Sequence, residues 1–216
     1  LKNDALSGVD LLRQRFDRVG ALGHSEGGTI SLMLGAEDKV DFIVSLAAMV
    51  VSGKETLLDQ NRYLLSDAGF EQGVVEEYCT LLAGAFGGDG TVSSRIETSG
   101  LPAELKRNLQ AALMQLNTPY IRYFLGLDVR DRLGLIRCPV LALNGTKDTQ
   151  VSCENNLDVL RKGLPSVSEN QILPLEDLNH LMQHSITGSP NEYSTITETI
   201  SPSLLTLIPE WINGIR

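Results

Sequence analysis

Gly23-His24-Ser25-Glu26-Gly27 is the stretch on which the fold turns. A short apolar run, Val19 to Leu22, precedes it, and Gly28-Thr29-Ile30-Ser31-Leu32-Met33-Leu34 follows in a helix expected over residues 27–36 and closed by Gly35. Strand, Gly-x-Ser-x-Gly, helix is the setting in which this pattern marks a nucleophile elbow. Such a turn strains the backbone of its serine, and glycine on either side removes Cβ atoms that would meet the neighbouring strand and helix. It presents Ser25 Oγ at the carboxyl end of a strand, with the amides and dipole of a helix beneath any oxyanion that forms there. Taken alone, the five residues read equally well as a glycine-rich turn. Their neighbours move the balance toward chemistry.

Outward from the elbow, Val40 to Ala48 is nearly continuously apolar with β-branched residues, as expected of a strand buried on both faces. Strand, helix and buried strand in succession predict a parallel sheet. The rhythm returns at Cys138-Pro139-Val140-Leu141-Ala142-Leu143-Asn144, with a helix capped by Ser152 and running to Gly163, and Asn170 to Leu173 is the last strand. Leu1, Ala5, Val9, Leu12 and Phe16 recur at helical spacing, so the chain opens in an amphipathic helix. Leu204, Ile208, Trp211 and Ile215 mark a final one, which Pro209 is expected to kink or break. The fold class is thus α/β, a parallel sheet of about four strands, with core segments 1–49 and 136–216. Residues 50–135 break the rhythm and read as a helical insertion, with Thr118 as N-cap and Pro119 at the first position of one helix.

Composition sets limits on function. The 216 residues suffice for one core with an insertion, and a net charge of −9 argues against nucleic acid or an anionic membrane as partner. No apolar run is long enough to span a bilayer. Three cysteines, Cys79, Cys138 and Cys153, form neither a disulfide framework nor a zinc spacing, and no metal or cofactor is expected.

A serine hydroxyl needs a base within hydrogen-bond reach, and that base needs an acid to fix its tautomer. Asp148 follows the 138–144 strand and His180 follows the last strand, which gives the order Ser, Asp, His with each residue in a loop after a strand. His184 competes with His180 as base, and Glu176 and Asp177 with Asp148 as acid. His24 is given a structural part, because a residue beside the elbow serine points away from it.

With Gly-His-Ser-Glu-Gly-Gly (23–28), Cys-Pro-Val-Leu-Ala-Leu-Asn-Gly-Thr-Lys-Asp (138–148) and Leu-Asn-His-Leu-Met-Gln (178–183), the chain resembles the α/β-hydrolase family, in particular its bacterial carboxylesterase and serine-aminopeptidase-like branch. The resemblance implies Ser25 as nucleophile, Asp148 as triad acid and His180 as general base. The Glu26 backbone N–H becomes one oxyanion donor, and the segment 50–135 a cap over the pocket. It implies a serine hydrolase that cleaves small-molecule acyl esters through an acyl-enzyme; a peptidase or acyltransferase would use the same triad. A non-catalytic fragment or binding module with an incomplete oxyanion hole is the alternative.

Family members place further strands and a glycine-containing loop ahead of the opening helix. With four strands encoded, the elbow strand is expected at a sheet edge that needs a cover. The candidates are the opening helix, a second copy of the chain in a homo-oligomer, or a preceding segment carrying the other strands. Localisation, cytoplasmic or periplasmic and secreted, stays open at this point.

Overall fold

The computed structural model describes residues 1–116 and 118–215. In chain order the elements are α1 (Lys2–Arg13), β1 (Ala21–His24), α2 (Glu26–Ala36), β2 (Ile43–Leu46), α3 (Gly53–Asp67), α4 (Gln72–Phe86), α5 (Val92–Thr98), α6 (Ala103–Gln115), α7 (Pro119–Gly126), α8 (Arg130–Leu133), β3 (Val140–Gly145), α9 (Cys153–Gly163), β4 (Gln171–Leu175) and α10 (Pro202–Gly214). They divide into two compact units, Leu1–Val51 with Asp128–Arg216, and Ser52–Leu127.

The first unit holds a four-stranded sheet in the order β1-β2-β3-β4, every pair parallel. Its inner strands are buried on both faces, which is why their sequences are continuously apolar. Side chains alternate between the faces. Val44, Leu46, Leu141 and Leu143 pack with Leu204, Ile208 and Trp211 of α10 and with Ile215 just past it, whereas Ile43 meets α2 at Gly35. On the α2 side, α9 packs against β3 and β4. α8 lies against α2 and α9, so residues 130–133 go with the sheet and not with the helical segment. β1, β3 and β4 each open at their carboxyl ends into one of the segments singled out above.

Local boundaries shift from those expected. The elbow strand is Ala21–His24, two residues later than Val19–Leu22, because its ladder to β2 starts at Ala21↔Ile43. Val19 is instead held ahead of the strand, donating its N–H to the Asp41 carboxylate at 2.6 Å. Gly35 lies inside α2, and the left-handed residue just past the helix is Asp38, at φ 56°. α10 runs through Pro209 without a break. The amide that proline lacks would have bonded to the carbonyl of Leu205, an exposed residue.

α1 forms, but its apolar stripe is not buried. Val9 is its buried residue, while Leu1, Leu12 and Phe16 are exposed. The helix rests on α2, tied by the Lys2–Glu37 ion pair, and Arg13 pairs with Asp41. It is therefore not the cover expected for β1. No strand pairs with the outer side of β1 among the described residues, and Leu22 on it is 58% exposed.

The second unit is all-helical, around Leu65, Val75, Tyr78, Leu81, Leu82, Ile96, Leu105 and Leu109. α3 starts at a capping box in which the Ser52 side chain accepts from Glu55 N while the Glu55 carboxylate accepts from Ser52 N. Thr118 is the N-cap residue of α7 and Pro119 its first residue, as expected, but the Thr118 side chain makes no capping bond and its Oγ donates to Gln115 O at 2.8 Å.

Among the described residues no helix is long and apolar enough to cross a membrane. Within the first unit, the segment that follows β2 is tied to α9 by one buried side chain. Asn156 Oδ1 on α9 accepts from Val50 N at 2.6 Å and Val51 N at 3.1 Å. Asn156→Ala leaves two buried amides without a partner, and is expected to lower unfolding free energy by about 1–3 kcal/mol. Urea denaturation checks this; a change below about 0.5 kcal/mol, the range of neutral surface substitutions, contradicts it.

Candidate active site

β1 ends in a turn whose backbone is strained at one residue. Ser25 has φ 55° and ψ −121°, between the strand and the first turn of α2. Its N–H donates to Leu46 O at 2.8 Å, so the end of β2 clamps the turn. The steric demand falls on one of the two glycines that flank the serine in the motif, Gly23, and on Gly28 beyond it, but not on Gly27. A Cβ on Gly23 would lie 2.1 Å from Gly27 O, and one on Gly28 would lie 2.9 Å from the Ala48 Cβ. A Cβ on Gly27 would meet nothing within 4 Å. Close packing of helix onto strand therefore needs Gly23 and Gly28, while Gly27 is spatially free.

Three strand ends converge here. Ser25 follows β1, Asp148 lies three residues past β3, and His180 stands in the loop after β4. His180 Nε2 is 3.1 Å from Ser25 Oγ, and His180 Nδ1 is 2.8 Å from Asp148 Oδ2. The Asp148 side chain is fully buried and that of His180 is 6% exposed. Because a carboxylate oxygen accepts, the proton between His180 and Asp148 sits on Nδ1, leaving Nε2 to accept from the serine hydroxyl. Asp148 is itself oriented: its other oxygen accepts from Gln150 N at 2.9 Å and Val151 N at 2.8 Å. The arrangement can withdraw a proton from Ser25 and hold the resulting imidazolium against a carboxylate. Glu26, at the amino end of α2, places its backbone where a helix terminus favours negative charge.

The competing candidates lie elsewhere. His184 Nδ1 pairs with Glu198 at 3.1 Å and is exposed. Glu176 accepts from Thr146 Oγ, and Asp177, at φ 60°, forms an ion pair with Lys147. These carboxylates shape the loop and do not touch the imidazole of His180. Burial pushes the Cys153 thiol up to about 11, and it donates to Asn144 O, so it packs as a neutral side chain. Among the described residues no three His, Cys, Asp or Glu side chains gather as a metal site.

Two organising residues went unnoticed in the sequence. Asn179, fully buried, accepts from Leu181 N and Gln183 N through one oxygen, and its own N–H donates to Gln183 O. This closes a tight turn around His180, with Met182 at φ 60°. Glu192 does the same for the next segment, accepting from the N–H groups of Ile186, Thr187 and Gly188 and from the Thr187 hydroxyl. The Thr187 hydroxyl bond and then these amides bring its carboxyl down to about 2. That segment braces the Asp148 loop: Thr149 Oγ donates to Gly188 O at 3.0 Å, and Lys147 Nζ to Ser185 O at 3.0 Å. An Asn before the histidine, and a Glu a few residues after a Thr-Gly pair, are the signals available; neither is distinctive without the fold.

No family model and no curated protein matches this sequence. Solved structures do resemble it. A hydrolase from Pseudomonas aeruginosa PA01 superposes with a TM-score of 0.51 at 18% identity, over 100% of this chain and 71% of that one. A protein of unknown function from Staphylococcus aureus subsp. aureus Mu50 gives 0.51 at 14% identity, over 99% and 71%. An alpha/beta fold family hydrolase from Bacillus anthracis str. Sterne gives 0.49 at 14%, over 98% and 73%. The two superpositions above 0.5 show a shared fold, and at identities this low they show the fold alone.

Gly23→Ala drives a Cβ into the Gly27 carbonyl and is expected to cost about 1–3 kcal/mol or more, whereas Gly27→Ala is tolerated; thermal unfolding of the pair checks the contrast, and equal effects contradict it. The folded pKa of Glu192 is depressed, so the order it confers is present above its ordinary value near 4.5 and is lost as pH falls toward about 2. Amide exchange in residues 186–188 should therefore accelerate across that window, and Glu192→Gln should show the fast exchange already at neutral pH.

Proposed function

We propose that this chain, which has the α/β-hydrolase fold, is a serine hydrolase that cleaves carboxylic esters through an acyl-enzyme. The observation that carries this is the relay from Ser25 Oγ to His180 Nε2 at 3.1 Å and from His180 Nδ1 to Asp148 at 2.8 Å, assembled from three separate strand ends. Ser25 Oγ attacks the ester carbonyl while its proton passes to His180 Nε2. Asp148 holds the imidazolium by the bond to Nδ1. The carbonyl oxygen takes the negative charge at the amino end of α2, where the Glu26 N–H serves as a donor. Collapse of the tetrahedral species returns the proton to the departing alcohol and leaves the acyl group on Ser25. Water, deprotonated by the same nitrogen, then releases the acid and restores the serine.

The same steps would carry amide hydrolysis or acyl transfer. An ester is the substrate class chosen because an alcohol departs with less protonation than an amine, so it asks least of the relay. Ser25→Ala and His180→Ala should each lower turnover of p-nitrophenyl esters by about a thousandfold or more, with the circular dichroism spectrum unchanged. A fluorophosphonate probe should attach to Ser25 in the parent and not in Ser25→Ala. A well-folded parent that takes no label, or a variant that keeps its turnover, contradicts the proposal and favours a non-catalytic binding module.

A further inference from the structure

His24 lies outside the three-residue relay, yet it is bound to it. Its Nε2 is 2.6 Å from the backbone carbonyl of His180, and the two imidazole rings are 4.7 Å apart, tilted by 49°. A carbonyl only accepts, so Nε2 of His24 carries the proton. His24 is the last residue of β1 and is covalently joined to Ser25. The chain of bonds therefore closes on itself: Ser25 to the His180 ring, His180 carbonyl to His24, and His24 by its peptide bond back to Ser25.

The other anchors of this turn act in different directions. Asn179 and Gln183 fix its internal shape, and Lys147 N, donating to Leu178 O, ties it to the loop after β3. Ring bonds to Ser25 and Asp148 set the imidazole only while the backbone beneath it stays in place. The His24 bond sets that backbone relative to β1, the strand that carries the nucleophile.

We propose that His24 is a positioning residue for the base, its Nε2–H holding the His180 backbone so that the imidazole stays seated between Ser25 and Asp148; this rests on the serine-hydrolase function proposed above. The charge state of His24 suits the task. Loss of solvation through burial is the largest influence on its pKa, which lies below the ordinary 6.5. The neighbouring His180 acts in the same direction, while the His180 carbonyl and Asp148 act against them. His24 is thus neutral at neutral pH, and no second positive charge stands beside the imidazolium that His180 becomes during turnover.

Two substitutions separate the hydrogen bond from the ring. His24→Phe keeps an aromatic ring and removes the donor; His24→Gln offers an N–H at a comparable reach. With p-nitrophenyl butyrate, His24→Phe should lower kcat by about tenfold to a hundredfold with KM nearly unchanged, and His24→Gln should recover most of the loss. The low-field Nδ1–H proton resonance of His180, assigned by its disappearance in His180→Ala, should shift or broaden in His24→Phe and return in His24→Gln. Unchanged kcat and an unchanged resonance in His24→Phe overturn the proposal, as does an equal loss in both variants with both folded. A parent that neither turns over ester nor takes the fluorophosphonate label refutes the hydrolase function instead, and the resonance then decides the positioning role by itself.

Discussion

Ser25 is held at φ 55° and ψ −121°, a backbone conformation that costs a non-glycine residue about 1–3 kcal/mol, and the surrounding structure keeps it there from several sides. Leu46 O takes its N–H, the start of α2 takes its carbonyl through the amides of Gly28 and Thr29, and His180 faces its hydroxyl. The sheet supplies the rigidity. β2 and β3 are buried on both faces between α10 and the α2 side, so the ladder cannot slip without moving the whole core. The serine geometry is thus a consequence of parallel strand pairing, and it is lost if helix α2 cannot approach β1 at Gly23 and Gly28.

The loops around this turn share a construction. Each is folded onto a single side-chain carboxylate or amide that accepts from nearby backbone amides: Asp148 from Gln150 and Val151, Asn179 from Leu181 and Gln183, Glu192 from Ile186, Thr187 and Gly188. Asn156 does the same across the core for Val50 and Val51. Irregular backbone at strand ends has no ladder to satisfy it, and these oxygens stand in for one. In Asp148 the device has a second use, since the same carboxylate that orders its own loop also orients the imidazole. Structural and chemical demands on that residue therefore coincide.

Much of this was legible from residue order. Alternation of apolar strands with helices pointed to the parallel sheet, and the Ser, Asp, His order, each residue in a loop after a strand, together with the family resemblance singled out the three residues that the structure brings together. These signals are local: a strand buried on both faces must be apolar throughout, and a tight strand-to-helix turn needs glycine beside it. Periodicity misled where burial was assumed from pattern. α1 has a helical stripe and forms a helix, but a stripe cannot say whether anything packs on it, and Leu12 and Phe16 are exposed.

What the sequence by itself determined was the succession of elements and the placing of Ser25 at a strand-to-helix turn, with Asp148 and His180 among the candidate partners in loops after later strands, because hydrophobic spacing and turn chemistry act over a few residues. Only the tertiary structure decided which histidine meets the serine, which glycines are sterically required, and that His24 binds the carbonyl of His180, 156 positions further along the chain. These outcomes depend on the register of four strands and on turns closed by buried Asn and Glu oxygens. Such contacts join residues far apart in sequence, and no local pattern encodes the distance between them.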